Sequence, residues 1–557
     1  MIVALALVVC RLVWIQGVEG HALALAAEKQ RTRDMTLSAR RGSIYDREGQ
    51  PLAVTVAART VYAVPTQVRD ATGTARAIAR TIGGSSADYL KKLRKGGAFV
   101  YIARKADVSK ATALEDLKIP GIGFLEDSRR AYPLGDLGCQ VLGFVGVDDS
   151  GLAGVEKEYD SAMAGTPGRV VAERDPMGQI IPGGVVTAQD PIDGRSVRLT
   201  IDNDIQYQAQ VDLAAAVRQF GATGGSVVVM DPRNGEVLAM TSTPYFDPNR
   251  FGRARQEAIR NKAISDAYEP GSTIKAMTAA AAIDQSLYTP LSMFHLPPTL
   301  RVGDRTIHDA EGRGTVDWSL TKIVTQSSNV GAVKIGQGLG RTRLLAYFRR
   351  FGLGSRTGVD FPGESAGSLP ATSTWSQSTM GNIPFGQGLS VTPLQLARAL
   401  AAIANGGTLV TPHLVSEVGS TPTTFAASAQ RVISSRTASA TTVMLTDVVK
   451  DGTGIAAAVP GYEVAGKTGT AQVPAPDGQG YLKDVYISSF AGFLPASDPR
   501  VLIVVTVDAP KTGMYGGTVA APTFSQLARF CVAHLKIPPA PRVRMPSGLK
   551  AARGTAD

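Results

Sequence analysis

Residues 269–285 read EPGSTIKAMTAAAAIDQ, a stretch in which a break in regular structure is followed at once by a helical pattern. Pro270 and Gly271 interrupt the chain, and the alanine-rich run after them has high helix propensity. The stretch predicts a helix over residues 273–285 with Ser272 at its N-terminus, where exposed N–H groups and the helix dipole favour a developing alkoxide. Lys275 shares the helical face of Ser272, so its amine is expected to reach the hydroxyl.

Two further motifs follow along the chain and add reactive groups. Ser327-Ser328-Asn329 precedes the amphipathic stretch VGAVKIGQGL. Its first serine can relay a proton to a leaving group, and the asparagine amide can bind a peptide carbonyl. Lys467-Thr468-Gly469-Thr470 lies inside YEVAGKTGTAQV, which has the pattern of a strand. There the glycine permits close approach of a substrate backbone, and the lysine and hydroxyls can bind a carboxylate.

A lysine serves as a base near neutral pH only if its pKa falls from the ordinary value of ~10.4. Burial of Lys275 and the nearby cation of Lys467 would both lower that pKa. The motifs together are the equipment of a serine acyltransferase that works without histidine. The predicted catalytic residues are Ser272, Lys275, Ser327, Asn329 and Lys467, and the predicted substrate-binding residues are Thr468, Gly469 and Thr470.

Two of the motifs occur a second time. Ser319-Leu320-Thr321-Lys322 repeats the Ser-x-x-Lys spacing, but only the Ser272 copy combines a Pro-Gly break with an alanine-rich helix. Lys511-Thr512-Gly513 follows VLIVVTVDAP in a glycine-rich turn and has the pattern of a solvated loop. The context therefore favours the copies at Ser272 and Lys467.

A nucleotide-binding loop is the main rival interpretation, because Gly461, Gly466, Lys467 and Thr468 satisfy the P-loop spacing. That interpretation requires a strand before Gly461 and a helix from Lys467 onward. Gly469 and a proline follow instead, and too few residues remain for the repeated βαβ units of such a fold. The sequence therefore argues against an NTPase.

Composition narrows the class of protein. The 557 residues are 44% hydrophobic and 19% charged, which is typical of a globular chain of two or three domains. The net charge of +11 suits an anionic membrane or cell-wall polymer, whereas nucleic acid is disfavoured because no binding motif is present and aromatics are only 6%. Cys10, Cys139 and Cys531 are too scattered for a disulfide framework, and the five histidines show no ligand spacing, so we expect no metal and no cofactor.

The chain is expected to be an α+β protein with an N-terminal membrane anchor and two domains. Residues 19–195 are polar and turn-rich without a concentration of nucleophiles and bases, which predicts an irregular, β-rich binding or spacer domain. Residues 196–537 contain strand patterns at 226–231, 235–243, 488–494 and 501–509, a hairpin signal at Asn234-Gly235, and helical patterns at 273–285, 392–405 and 522–535. They predict an antiparallel sheet flanked by helices, with a mainly helical insertion between its early and late strands. Residues 538–557 have the composition of a disordered tail.

The anchor is predicted over residues 1–18, which read MIVALALVVCRLVWIQGV. At ~1.5 Å per residue this stretch would be ~27 Å long, just enough to span a bilayer. A cleaved signal peptide is the alternative, since Ala22-Leu23-Ala24 resembles a cleavage site. Basic residues follow the span, although positive charge favours the cytoplasmic side, so we expect the true start to lie upstream with a basic cytoplasmic segment.

Taken together, these motifs resemble the class B penicillin-binding proteins, the monofunctional D,D-transpeptidases of bacterial cell-wall synthesis. The resemblance covers nearly the whole chain and rests on RGSIYDREGQPLA, RAYP, GLAGVEKEYD, NKAISDAYEPGSTIK, SSNVG, FGQGLSVTPLQLARALAAIANGG and VAGKTGTAQV. GFVGVDDSGLAGVEKEYD and EPGSTIK are more similar to the septal, cell-division branch than to the elongation branch. The family implies a pedestal of the dimerisation type over residues 19–195 and a penicillin-binding, β-lactamase-like transpeptidase domain over 196–537.

The resemblance implies a reaction through an acyl-enzyme. Ser272 would attack the penultimate D-Ala carbonyl of a stem pentapeptide with Lys275 as general base, and Ser327 and Lys467 would carry the proton to the leaving amine. Backbone N–H groups of Ser272 and Thr470 would form the oxyanion hole. β-Lactams mimic D-Ala-D-Ala and would trap Ser272 as a stable acyl-enzyme.

The resemblance also implies location and partners. The protein would be a single-pass cell-membrane protein with its catalytic domain outside the cytoplasm. Its expected partners are stem peptides ending in D-Ala-D-Ala, β-lactam antibiotics, the membrane and divisome proteins, including a polytopic glycosyltransferase. A membrane-anchored β-lactamase or penicillin sensor remains an alternative, since it would share the motifs but would not need the pedestal segments.

Overall fold

The computed structural model describes residues 1–21, 32–97, 99–174, 180–423, 430–475 and 480–546. The chain divides into two compact units, each assembled from several stretches. Unit 1 comprises Met1–Ser43, Val54–Arg130 and Asp160–Ser196, and unit 2 comprises Ile44–Ala53, Ala131–Tyr159 and Val197–Asp557. The predicted boundaries at residues 195 and 537 stay predictions.

Unit 1 contains short strands and helices around a small core. Val61, Ile78, Leu93, Ile102 and Leu114 are all buried in this core. The strands are Thr32–Leu37, Val100–Asp107, Ile122–Ala131, Gly168–Arg174 and Ile180–Gln189, together with the later part of Pro51–Ala63; the helices are Ile2–Gly17, Ala71–Ile82, Ser86–Arg94, Val108–Glu115 and Asp160–Met163, with a 3-10 turn at Pro65–Gln67.

The first helix, Ile2–Gly17, has no buried residue. Among the described residues, no helix combines the length and the apolar character that crossing a membrane requires. The structure therefore does not confirm the predicted anchor over residues 1–18.

A five-stranded sheet forms the centre of unit 2. Its strands are Gly224–Met230 (β1), Val237–Thr243 (β2), Ala465–Pro474 (β3), Tyr481–Leu494 (β4) and Val501–Asp508 (β5). They lie in the order β2-β1-β5-β4-β3, and all neighbours pair antiparallel. The hairpin predicted at Asn234-Gly235 is confirmed, because β1 and β2 pair around it. β3, which carries the Lys-Thr-Gly motif, lies at one end of this order.

Five helices of unit 2 frame the sheet and the site. They are Asn203–Phe220 (α1), Lys275–Asp284 (α2), Asn329–Leu339 (α3), Ser435–Asp451 (α4) and Ala521–His534 (α5). Alternate residues of a strand point to opposite faces of a sheet. Val227 of β1 and Val505 of β5 pack in one buried cluster with Leu213 of α1 and Phe524 of α5. The intervening residues face the other side, where helix Pro393–Ala404 contacts β1, β4 and β5.

The remaining elements of unit 2 surround this centre. Its other strands are Ile44–Tyr45, Phe144–Val145, Gly151–Ala153, Val197–Leu199, Met293–Leu296, Thr299–Val302, Arg305–His308, Val316–Ser319, Thr408–Leu409, Val415–Val418, Thr421–Pro422 and Gln430–Arg431. Its other helices are Cys139–Leu142, Gly154–Glu158, Gln256–Ile259, Lys262–Ser265, Leu320–Thr325, Arg341–Arg350, Pro393–Ala404 and Gly516–Val519, with 3-10 turns at Pro248–Arg253, Gly271–Ile274, Thr372–Thr374, Ser378–Gly381, Ile383–Phe385 and Ile455–Ala457.

Most of the elements predicted for residues 196–537 are confirmed within one or two residues. The helix predicted at 392–405 is Pro393–Ala404, and it begins with a capping box formed by Thr392 and Gln395. The helix predicted at 522–535 is Ala521–His534. Residues 538–546 form neither helix nor strand, and 547–557 of the predicted tail lie outside the described residues.

Candidate active site

Ser272 lies in a tight turn that leads into α2. Residues Gly271–Ile274 form a 3-10 turn, and the α-helix begins at Lys275, slightly later than predicted. Gly271 has φ +55°, and a Cβ there would lie 2.9 Å from the Thr470 carbonyl oxygen. The Gly271 N–H donates to the carbonyl of Gly386 at 3.0 Å. The turn that presents Ser272 is therefore held between β3 and the loop at Gly386.

The side chain of Lys275 points into the protein, where it is 2% exposed. Its Nζ donates to the Ser327 carbonyl at 2.5 Å, to the Ser327 hydroxyl at 3.2 Å and to Asn329 Oδ1 at 2.7 Å. The sequence predicted a pair with the Ser272 hydroxyl, whereas the hydrogen bonds of this amine go to the Ser-Ser-Asn motif. Ser272 itself is half-buried, and its hydroxyl has no hydrogen bond within the described part of the chain.

The Ser327 hydroxyl lies between two lysines. It accepts from Lys467 Nζ at 2.9 Å as well as from Lys275 Nζ. Ser327 has φ +58°, a conformation that a residue with a side chain adopts at a cost. The fold thus keeps a strained residue at the point that connects Lys275 of α2 with Lys467 of β3.

Burial governs the protonation of both lysines. Desolvation, then the charge of Lys467, hold the pKa of Lys275 well below its ordinary value, while Asp309 acts in the opposite direction. Burial lowers the pKa of Lys467 to about 7. Neutral amines are therefore accessible near neutral pH, and a neutral amine can accept a proton.

The threonine hydroxyls of β3 have hydrogen-bond partners on other segments of unit 2. Thr468 Oγ1 lies 2.7 Å from Thr453 Oγ1, and Thr470 Oγ1 accepts from the Gly516 N–H at 3.0 Å. A Cβ at Gly469 would lie 2.9 Å from the Pro270 carbonyl oxygen. Glycine at this position therefore lets the turn of Ser272 approach β3, a reason that differs from the predicted approach of substrate; contact with substrate stays a prediction.

The second copies of the motifs have ordinary structural roles. Ser319 caps helix Leu320–Thr325, and its hydroxyl accepts from the Lys322 N–H at 3.1 Å. Lys511 is exposed in the loop after β5, as predicted. Lys467 lies within a strand, so the helix that a P-loop requires after its lysine is not formed.

Sequence reasoning missed several residues that hold the site together. Asp309 accepts from Ser328, Thr453 contacts Thr468, and Glu269 accepts from the Gly388 N–H at 2.9 Å and from the Tyr481 hydroxyl at 3.0 Å. Asp309 and Thr453 lie in none of the quoted motifs, and Glu269 lies in EPGSTIK, whose pattern does not indicate these contacts. Each becomes recognisable only when distant stretches of the chain are brought together.

Two family models match the chain. Residues 225–529 match the family described as penicillin binding protein transpeptidase domain, and residues 36–199 match the penicillin-binding protein dimerisation domain.

The chain is similar to several characterised proteins over most of its length. It is 38% identical to penicillin-binding protein PbpB of Mycolicibacterium smegmatis over 94% of this chain and 87% of that protein. It is 34% identical to the peptidoglycan D,D-transpeptidase FtsI of Escherichia coli K12 over 94% of this chain and 89% of that protein. A crystal structure of penicillin binding protein 3 from Mycobacterium tuberculosis with aztreonam superimposes with a TM-score of 0.73 at 33% identity, covering 91% of this chain and 99% of that one.

Proposed function

The chain belongs to the class B penicillin-binding proteins, and from this premise we propose how its residues carry out peptidoglycan D,D-transpeptidation in septal wall synthesis. It is a serine-type transpeptidase and a target of β-lactams. The observation that carries the assignment of roles is the Ser327 hydroxyl, which accepts from both Lys275 and Lys467 beside the turn of Ser272.

Acylation begins with attack of the Ser272 hydroxyl on the penultimate D-Ala carbonyl of a stem peptide. The neutral amine of Lys275 takes the hydroxyl proton, a role supported by its lowered pKa. Backbone N–H groups of Ser272 and Thr470 stabilise the oxyanion of the tetrahedral intermediate. When the C–N bond breaks, the departing D-Ala amine takes a proton through Ser327 from Lys467, and the acyl group remains on Ser272.

Substrate binding uses β3 and the Ser-Ser-Asn motif. An extended peptide can pair with a strand at the end of a sheet, and β3 has that position. Hydroxyls of Thr468 and Thr470 hold the terminal carboxylate, with the charge of Lys467 close by. The Asn329 side chain orients the peptide, and Gly469 lies on the strand between the two threonines.

Deacylation then transfers the stem peptide to an amine of a neighbouring stem peptide. Before this step the proton on Lys275 passes through the Ser327 hydroxyl to Lys467, which restores both lysines. The neutral Lys275 amine then takes a proton from the acceptor amine as the new amide bond forms. The bond to the Ser272 oxygen breaks, and Lys275 returns that proton to this oxygen. A β-lactam acylates the same oxygen, but ring opening leaves its amine tethered to the acyl group, so that the site stays blocked.

The location and the partners are inferred from the sequence. Residues 1–18 would act as a single membrane anchor, with the catalytic unit outside the cytoplasm. Divisome proteins, including a polytopic glycosyltransferase, would bind the pedestal residues. Depletion should then block septum formation, whereas rounded cells that still divide would favour a role in elongation.

Labelling with a fluorescent penicillin tests the chemical part of the proposal. Purified protein should form one stable covalent adduct per chain, located at Ser272 by mass spectrometry, and Ser272→Ala should eliminate it. Ser319→Ala is the matched control and should label normally. Rapid turnover of the penicillin without a stable adduct would instead indicate a β-lactamase, and an adduct on Ser319 would overturn the assignment.

A further inference from the structure

A buried carboxylate that the proposed mechanism does not use lies beside the Ser-Ser-Asn motif. Asp309 follows strand Arg305–His308, and its side chain is 10% exposed. It forms an ion pair with Arg313, whose Nε lies 2.7 Å from Asp309 Oδ2 and whose side chain is 13% exposed. Carboxylates are rarely buried unless they are paired and hydrogen-bonded, so this arrangement has a structural cost that its contacts must offset.

The carboxylate braces the start of α3. The Ser328 hydroxyl donates to Asp309 at 2.9 Å and accepts from the Gly331 N–H at 2.9 Å. The Val330 N–H donates to Asp309 Oδ1 at 3.0 Å. Asp309 therefore fixes the residue between Ser327 and Asn329 and satisfies an N–H group in the first turn of the helix.

His308, which precedes Asp309, holds the side-chain amide of Asn329 in place. The Asn329 Nδ2 group donates to the His308 carbonyl at 3.0 Å, and this leaves Oδ1 directed to Lys275 Nζ at 2.7 Å. Residues 308 and 309 thus hold both flanks of the motif. A shift of this segment would move the groups that Lys275 contacts.

The segment itself is fixed by Arg313. Its Nη1 donates to the Leu296 carbonyl at 3.1 Å and to the Gly314 carbonyl at 3.0 Å, and its guanidinium lies 4.9 Å from the centre of the Trp318 ring. An arginine held by carbonyls and an aromatic ring is a rigid partner for a carboxylate.

Charged groups of both signs act on the Lys275 amine. Lys467 lowers the pKa of Lys275 and Asp309 raises it. Other charged groups on the neighbouring helices have separate partners or face solvent, except for the half-buried Asp447 of α4, whose carboxylate interacts with the charges of Lys450, Asp451 and Glu463. Lys334 donates to the His295 carbonyl, Asp284 accepts from Tyr347, and Lys322 and Asp451 are exposed.

We propose that Asp309, balanced by Arg313, is a positioning residue of the acylation site that braces Ser327-Ser328-Asn329 and supplies the negative charge facing Lys275. The proposal rests on the proposed transpeptidase function. Asp309 acts through Ser328 and Lys275 and does not contact the reacting atoms.

Opposite pH shifts distinguish this role from simple structural support. In Asp309→Asn the negative charge is lost, so the pKa of Lys275 falls and the acidic limb of the acylation profile moves to lower pH. In Arg313→Gln the Asp309 charge is left unbalanced, so the pKa of Lys275 rises and the acidic limb moves to higher pH. Both variants lose part of the brace, and the plateau rate should fall about tenfold.

The experiment measures the second-order rate constant for acylation of the full chain by a fluorescent penicillin between about pH 5 and about pH 10. Asp317→Asn is the control, because this exposed carboxylate pairs with the exposed His295. It should leave both the rate and the profile unchanged, and Asp309→Glu should restore the profile in part.

Opposite shifts in the two variants support the proposal. Equal losses of rate with unmoved profiles, or shifts in the same direction, overturn it. If Asp309→Asn fails to fold in a thermal unfolding assay, the shift in Arg313→Gln decides. Ser272→Ala distinguishes a failure of this inference from a failure of the transpeptidase assignment. If Ser272→Ala abolishes labelling while the pH profiles of Asp309→Asn and Arg313→Gln match that of the wild type, the transpeptidase assignment stands and this inference fails.

Discussion

Replacement of Lys467 by alanine should slow the acylation of Ser272 by a β-lactam about 10- to 100-fold at neutral pH. The change removes the Nζ that lies 2.9 Å from the Ser327 hydroxyl, and with it the proposed source of the proton for the leaving group. Hydrogen bonds that involve charged groups contribute ~1.5–3 kcal/mol, and each ~1.4 kcal/mol corresponds to a factor of ten in rate.

The pH dependence of this loss has a definite sign. Lys467 is, after burial, a cause of the lowered pKa of Lys275. Its removal should raise the pKa of Lys275, so that this amine becomes a base only at higher pH. The loss of rate should therefore be larger on the acidic side of the profile than on the alkaline side.

The assay is the rate of labelling by a fluorescent penicillin, followed across pH, with a thermal unfolding measurement to show that the variant folds. Lys511→Ala is the matched control, since it changes an identical tripeptide in an exposed loop, where substitutions usually alter stability by only ~0.5 kcal/mol. It should label within a few-fold of the wild type. The reasoning fails if Lys467→Ala labels at the wild-type rate, or if Lys511→Ala loses as much as Lys467→Ala.

Three other outcomes can be checked on the same protein. Gly386→Ala should abolish labelling, because its Cβ would lie 1.9 Å from the Gly271 carbonyl oxygen, in the turn that carries Ser272. The control Gly363→Ala has a similar positive φ but no atom within 4 Å of the added Cβ, so it should label normally. Thr453→Val should weaken the binding of a β-lactam before acylation about fivefold (~1 kcal/mol), because Thr468 loses the hydroxyl of Thr453 as a partner. The control Thr442→Val in α4 should leave this affinity unchanged, and binding titrations measure both. Between pH about 7 and about 10.5 the unfolded chain binds more protons at Lys467 than the folded chain does. The free energy of unfolding should therefore rise with pH over this window, relative to that of Lys467→Met. Denaturant titrations in which the difference in unfolding free energy between the two proteins does not change with pH would contradict this.

The fold of unit 2 was predictable wherever its signals are local. A β-branched run next to Asn-Gly indicates a hairpin, and the structure has β1 and β2 there. Alanine-rich and amphipathic runs indicate helices, and α2 and α5 lie within two or three residues of the predictions. These patterns depend on backbone preferences and on the burial of one face, both of which are encoded within about a dozen residues.

The contacts within the candidate site were less predictable than the fold. The sequence paired Lys275 with Ser272, whereas the hydrogen bonds of Lys275 go to Ser327 and Asn329. The positive φ of Ser327 is local, because Ser327 ends helix Leu320–Thr325, where the Ser328 N–H donates to the Ile323 carbonyl at 3.0 Å. The bridging of two lysines by the Ser327 hydroxyl arises instead from tertiary contacts between residues more than 50 positions apart. Such contacts leave no periodic or local signal in the sequence.

In the proposed mechanism, the burial of two amines at one hydroxyl allows proton transfer without histidine. A histidine already titrates near neutral pH, whereas a lysine must lose solvation before its free amine becomes accessible there. In this protein the desolvation comes from α2, α3 and β3, which enclose Lys275 and Lys467 to 2% and 1% exposure. Two adjacent ammonium groups would repel each other, so protonation of one lysine favours the neutral form of the other. Because the Ser327 hydroxyl can accept from one amine while it donates to the other, a proton taken up at Lys275 can be returned at the leaving group without passing through solvent. A serine with a positive φ and two buried lysines each lower the stability of the folded state, which other contacts of the fold must offset.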